Sequence, residues 1–171
     1  MATIVIPFRG SLGKTRLSAL PEEARAELAY AMFCDVYEAC SAVGRTLVAA
    51  RPDGQGEAVA EALRSVSGPV AVVNADVPCV TRADVELLLR SAPALVAAAD
   101  GTTNALALAD AADFRPLYGT GSAARFLELG LAPLDLPNLS ADVDSPADLE
   151  RIAGRVGRNT RAVLRSLRVP A

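Results

Sequence analysis

The chain has 171 residues, of which 51% are apolar, with a net charge of −3 and a pI near 5.0. This is one domain's worth of chain with ample apolar content for a single core, and its acidic balance lacks the basic face that nucleic acid or an anionic membrane would require. It contains no histidine, which removes Ser-His-Asp, Cys-His and His-ligated zinc chemistry and leaves carboxylates, Lys/Arg, hydroxyls, backbone amides and a bound cation.

In chain order, Thr3–Pro7 is a β-branched apolar run stopped by proline, which predicts a buried strand. A glycine-containing basic loop follows at 9–16. A helix is predicted over 21–43: Pro21 suits its first turn, Glu22 and Glu23 its positive end, and Gly44 its stop. Leu28, Met32, Val36 and Cys40 recur at helical spacing on its buried face. Residues 45–50 predict a second strand and 57–66 a second helix. The unbroken apolar run at 70–74 (VAVVN) predicts a strand covered on both faces, as in a parallel sheet. Thr81 with Asp84 opens a third helix through a capping box. Strands are predicted at 94–99 and 105–108, flanking a polar loop at 100–104.

A second glycine-rich loop at 117–122 leads into a short helix ending near Gly130. Ser145, Pro146 and Asp148 start another helix. Five arginines between Arg155 and Arg168 read as a solvated C-terminal helix. Cys34, Cys40 and Cys79 form no CxxC pair and are odd in number, so neither a disulfide framework nor a zinc site is expected. The opening MATIVIPFRG has no charged leader, and the Ala-rich stretch at 92–99 is broken by Pro93. A cytoplasmic protein without membrane contact is the expectation.

Alternating strands and helices predict an α/β fold, a mostly parallel sheet with helices on both faces and a site outside the carboxyl ends of the strands. Gly10 to Thr15 ends like a phosphate loop, but two residues separate its glycines where that motif needs four. The loop still offers backbone amides after a strand together with Arg9, Lys14 and Arg16. It is either a phosphate site or a solvated basic turn. Asp76 sits just past an apolar strand, where a Mg²⁺ ligand would serve a triphosphate or where a plain turn residue would stand. Asp142 and Asp144, two apart in an extended segment, point the same way, so both can face one cation unless Asp144 only caps the next helix. Thr103, Asn104 and Ser122 offer donors without bulk, and Gly119 and Gly121 allow close backbone approach.

Segments 6–17 (IPFRGSLGKTRL), 74–78 (NADVP), 103–106 (TNAL), 118–126 (YGTGSAARF) and 142–149 (DVDSPADL) occur in an order that resembles the 2-phospho-L-lactate guanylyltransferases, including the bacterial phosphoenolpyruvate guanylyltransferases. These belong to a wider group that contains the molybdenum-cofactor guanylyltransferases. The resemblance implies a single-domain Rossmann-like nucleotidyltransferase fold over 1–156 and a C-terminal helical extension over 157–171. It also implies a sheet shortened by about one βα unit, because 51–56 runs straight from a strand tip to the next helix. The implied reaction transfers GMP from GTP to phosphoenolpyruvate or 2-phospho-L-lactate, within biosynthesis of the deazaflavin coenzyme factor 420, and a downstream transferase would take the product. By motif, Lys14, Asp76 and Asp144 would be catalytic, and Asp76, Asp142 and Asp144 would hold Mg²⁺. Arg9, Gly10, Lys14 and Arg16 would face the GTP phosphates, with Gln55 and Gly56 near the base. Thr103, Asn104, Gly119 and Ser122 would bind the acceptor acid. A related transferase with another nucleotide or acceptor, or a non-catalytic nucleotide-binding member, stays open.

Overall fold

The computed structural model describes residues 1–10, 17, 20–50 and 54–167. Its strands are β1 (Thr3–Pro7), β2 (Arg45–Ala49), β3 (Val70–Val73), β4 (Ala94–Ala97), β5 (Thr103–Leu108) and β6 (Ala132–Pro133). Its helices are α1 (Glu22–Ser41), α2 (Gln55–Leu63), α3 (Arg82–Arg90), α4 (Ser122–Glu128), α5 (Pro146–Ile152) and α6 (Arg158–Leu167). The strands form one sheet in the order β2-β1-β3-β5-β4-β6. β1 pairs in parallel with β2 and β3, and β4 with β6, whereas β5 is antiparallel to both β3 and β4. No described helix is long and apolar enough to cross a membrane.

Alternation along the central strands sorts the core into two layers. Ile4, Ile6, Ala71 and Val73 face α1 and α3, where they meet Val36, Cys40, Val85 and Leu88. Val5, Val70, Val72 and Leu106 face the other way, onto Ala58, Val59 and Leu63 of α2 and Ala123 and Phe126 of α4. All four β3 side chains are buried, as the uninterrupted apolar run predicts for a strand covered on both faces.

Most elements stand within a few residues of their predicted positions, and three differences have physical causes. β5 begins at Thr103 instead of Ala105, so Thr103 and Asn104 are buried strand residues, at 1% and 2% exposure, and lie outside the loop. Their polarity hides the strand from a pattern search, because an apolar period is the only signal such a search has. β6 is two residues long and contains Pro133, too short to show any period. α2 starts at Gln55, two residues early, behind Gly54, whose φ of 123° is open to glycine and lets the chain enter the helix there.

The C-terminal arginine-rich segment forms α6, which packs against α1. Leu28 and Met32 of α1 share a third apolar cluster with Leu149, Ile152 and Val163. The joint is polar at its end. Asp35 of α1, 6% exposed, accepts from the backbone N–H groups of Asn159 and Thr160 and from Asn159 Nδ2, each at 2.9 Å. It therefore satisfies donors that the first turn of α6 leaves open. A Cβ on Gly157 would collide with this carboxyl group. Asp35→Ala should lower unfolding stability by about 2–3 kcal/mol, read as a shifted denaturant midpoint, because it strips an acceptor from one buried and two half-buried N–H groups.

Candidate active site

The carboxyl ends of β1 and β3 and the amino end of antiparallel β5 lie at the same edge of the sheet, and Gln55, Asp76, Thr103, Asn104 and Asp142 are brought together there. The ladder continues one residue beyond β3, where Asn74 N–H donates to Asn104 O at 2.9 Å. The Asn74 side chain then ties three elements together. Its Oδ1 accepts from Gln55 Nε2 of α2 at 2.6 Å, and its Nδ2 donates to Thr103 O of β5 at 3.2 Å. Asn104 Nδ2 carries the network on to Asp142 Oδ1 at 3.2 Å. The backbone closes the loop from the other side, with Val143 N–H donating to Asp76 O at 3.0 Å.

This arrangement brings Asp76, Asp142 and Asp144 into electrostatic contact. Burial pushes the Asp142 carboxyl up from its ordinary range; the Asn104 hydrogen bond opposes this, and the charges of Asp76 and Asp144 reinforce it. Val143 is fully buried in the core, while Asp142 and Asp144 line one open cavity of about 600 Å³ with Asp100, Arg151 and Arg155. The pair thus shares a side, as the two-residue spacing predicts. The cap of α5 is supplied by Ser145 and Asp148 in a capping box, so Asp144 is not needed as the cap. Among the described residues no three His, Cys, Asp or Glu side chains lie close enough together to form a metal cage by themselves.

Arg9 follows β1 and lines a small cavity of about 70 Å³ with Pro7, Ala49, Gln55 and Ala58. Gly10 takes a positive φ of 69°, with open space where a side chain would stand. Lys14 and Arg16 lie outside the described residues. Gly56 is buried against Pro116, and a Cβ there would stand 2.9 Å from Pro116 Cβ, so this glycine sets how closely α2 approaches the 116 segment.

On the other flank Thr103, Gly119 and Ser122 meet. Thr103 Oγ1 and Ser122 Oγ share a buried hydrogen bond at 3.1 Å, and Ser122 N–H donates to Gly119 O at 3.0 Å. Within such a hydroxyl pair one O–H donates to the other, which leaves the second proton for a further acceptor. Thr102 turns its hydroxyl outward to Asp100 Oδ1 at 2.7 Å. The Tyr118 ring packs against Phe114 and Phe126 and anchors the loop, and burial raises its phenol above the ordinary range.

The sequence singles out neither Asn74, which joins this network, nor Arg125, whose guanidinium donates to the carbonyls of Leu117, Tyr118 and Thr120. Both lie inside motifs read for their acids and glycines. The available signal for Arg125 was its place one helical turn after Ser122, where a long side chain leans back over the preceding loop.

No protein-family model matches the chain. The phosphoenolpyruvate guanylyltransferase of Geodermatophilus obscurus is 32% identical to it over 200 aligned positions, covering 95% of this chain and 93% of that protein. That alignment is longer than the 171-residue chain, so the relative carries residues that this chain lacks. The 2-phospho-L-lactate guanylyltransferase of Methanocorpusculum labreanum is 33% identical over 168 positions, covering 85% of this chain and 79% of its own length. Among solved structures, a nucleotidyl transferase from Methanothermobacter superposes with a TM-score of 0.53 over 97% of this chain and 99% of its own, at 16% identity, a likeness of fold alone.

Two stability outcomes follow from the geometry. Asp142 has a raised pKa in the folded state, so the fold binds that proton more tightly than the unfolded chain. Its contribution is therefore favourable at low pH and is lost as pH rises through the folded value. Asp142→Asn keeps an oxygen for Asn104 and removes the charge, so in EDTA at neutral pH its Tm should rise by about 1–4 °C. The Tyr118 hydroxyl is buried without a hydrogen-bond partner among the described residues. Tyr118→Phe should leave stability unchanged or raise it by about 1 kcal/mol in a urea titration.

Proposed function

The chain belongs to the 2-phospho-L-lactate and phosphoenolpyruvate guanylyltransferase family, and from that premise we propose how its residues carry out the reaction. The protein is a guanylyltransferase. A phosphate oxygen of phosphoenolpyruvate or 2-phospho-L-lactate attacks the α-phosphorus of GTP, the bond to the bridging oxygen breaks, and pyrophosphate departs with its electron pair. The observation that carries this reading is the Gln55–Asn74–Thr103 and Asn104–Asp142 network, which links the end of β3 to the acidic segment at 142–144.

Asp142 and Asp144 on one cavity wall, with Asp76 within electrostatic reach, make an all-oxygen donor set. Such a set fits Mg²⁺, which takes one or two carboxylates and completes its shell with water and phosphate oxygens. Bound there, Mg²⁺ would offset the charge on the triphosphate and on the departing pyrophosphate. The protein's own groups position the reactants. By the family resemblance, Arg9, Gly10, Lys14 and Arg16 would bind the GTP phosphates, and Lys14 would belong with Asp76 and Asp144 to the catalytic set. Gln55 and Gly56 border the base. Thr103, Asn104, Gly119 and Ser122 hold the acceptor acid, with the remaining hydroxyl proton of the Thr103–Ser122 pair donated to it. From the resemblance, the guanylylated acid is consumed by a downstream transferase in assembly of the deazaflavin coenzyme factor 420.

Purified protein with Mg²⁺ should release pyrophosphate only when GTP and one of the two acids are both present, and EDTA should stop it. Release with ATP, CTP or UTP instead would reassign the nucleotide, and silence with every pair would leave a binding-only protein. Asp76→Asn should keep the fold by circular dichroism and lower turnover at least ~100-fold. Near-wild-type turnover in that variant would remove Asp76 from the reaction.

A further inference from the structure

The loop at 117–121 contains Gly119 and Gly121 at φ values of 106° and 71° and runs directly into α4. Arg125, one turn into α4, folds its side chain back beneath this loop. Its Nη2 donates to Leu117 O at 2.9 Å and Tyr118 O at 3.3 Å, its Nε to Leu117 O at 3.3 Å, and its Nη1 to Thr120 O at 2.8 Å. Three main-chain carbonyls from a four-residue stretch therefore converge on one guanidinium. No carboxylate pairs with it among the described residues, so its charge is not locally cancelled.

A trans peptide is planar, and its C=O and N–H point in opposite directions. With the Leu117, Tyr118 and Thr120 carbonyls turned to Arg125, the N–H groups of Tyr118, Gly119 and Gly121 must turn away from it. None of these three N–H groups donates to a described backbone carbonyl. Outward-turned amides in a glycine turn make a concavity suited to an anion, and the Thr103–Ser122 hydroxyl pair adjoins it.

We propose that Arg125 is a positioning residue for the acceptor, one that touches no substrate but holds the 117–121 loop so that its amides face the acid's anionic oxygens. This rests on the guanylyltransferase reading given above. The fork geometry matters, since five N–H donors in one plane can span three carbonyls and an ammonium group cannot. Lysine at this position would keep the charge and lose the shape.

The test is steady-state kinetics of wild type, Arg125→Ala and Arg125→Lys with GTP and each acid, beside thermal melts of all three. Both variants should raise the acceptor KM about tenfold or more while the GTP KM stays within about twofold. Guanidinium chloride at millimolar concentration should recover part of the loss in Arg125→Ala and none in Arg125→Lys. An unchanged acceptor KM in a folded variant overturns the proposal. So does an equal rise in both KM values with a lowered Tm, which marks a merely structural residue, or failure of both variants to fold. A wild type silent with every acid overturns the functional reading itself, and the inference falls with it.

Discussion

The whole site hangs on one strand running backwards. β5 lies between β3 and β4 and is antiparallel to both, in a register that sets Val73 against Ala105. A parallel strand in that place would deliver its last residues to the edge where β1 and β3 end. The reversed strand delivers its first residues, Thr103 and Asn104, beside the tip of β3. From there two side-chain amides, Asn74 and Asn104, reach Gln55 on one flank and Asp142 on the other. Each amide carries both donors and an acceptor, so each can join two elements at once. The edge of the sheet is thereby a continuous polar network, and satisfied networks of this kind hold groups in one arrangement.

That arrangement is not the most stable one for the ligand-free chain. Asp142 is pressed toward its protonated form by burial and by two neighbouring carboxylates. Groups of like charge held together in a partly dry place work against the fold and in favour of a cation, a common compromise between stability and function. The opposing stability comes from ordinary packing: apolar layers on both faces of the sheet, and the α1–α6 joint in which one buried carboxylate serves three N–H groups.

The two flanks are built by different means. On one flank, α2 is drawn close by Gly56 on Pro116 and fastened by Gln55 on Asn74. On the other, an aromatic anchor at Tyr118 and the Arg125 fork fix a glycine loop that has no regular structure of its own. Asn74 touches both flanks, through Gln55 and through the Thr103 carbonyl, so the geometry of one half is fixed relative to the other.

Much of this was legible before any coordinates. Apolar runs and periodicity located β1, β3 and α1, and side-chain capping located α3 and α5, because those signals are local and each element's hydrophobic face repeats along it. The acids at 76, 142 and 144 stood out by their place after a strand and their two-residue spacing, the second loop by its glycines, and the family resemblance by motif order. The identity of chemistry-bearing residues is written in the sequence, since chemistry needs particular functional groups. What the tertiary structure alone decided was partnership. The antiparallel sense of β5, the buried place of Thr103 and Asn104, the two-residue β6 and the bridge at Asn74 all depend on groups tens of residues apart. No local pattern encodes such a pairing, because it exists only once the sheet has closed and each buried polar group has found the partner its desolvation demands.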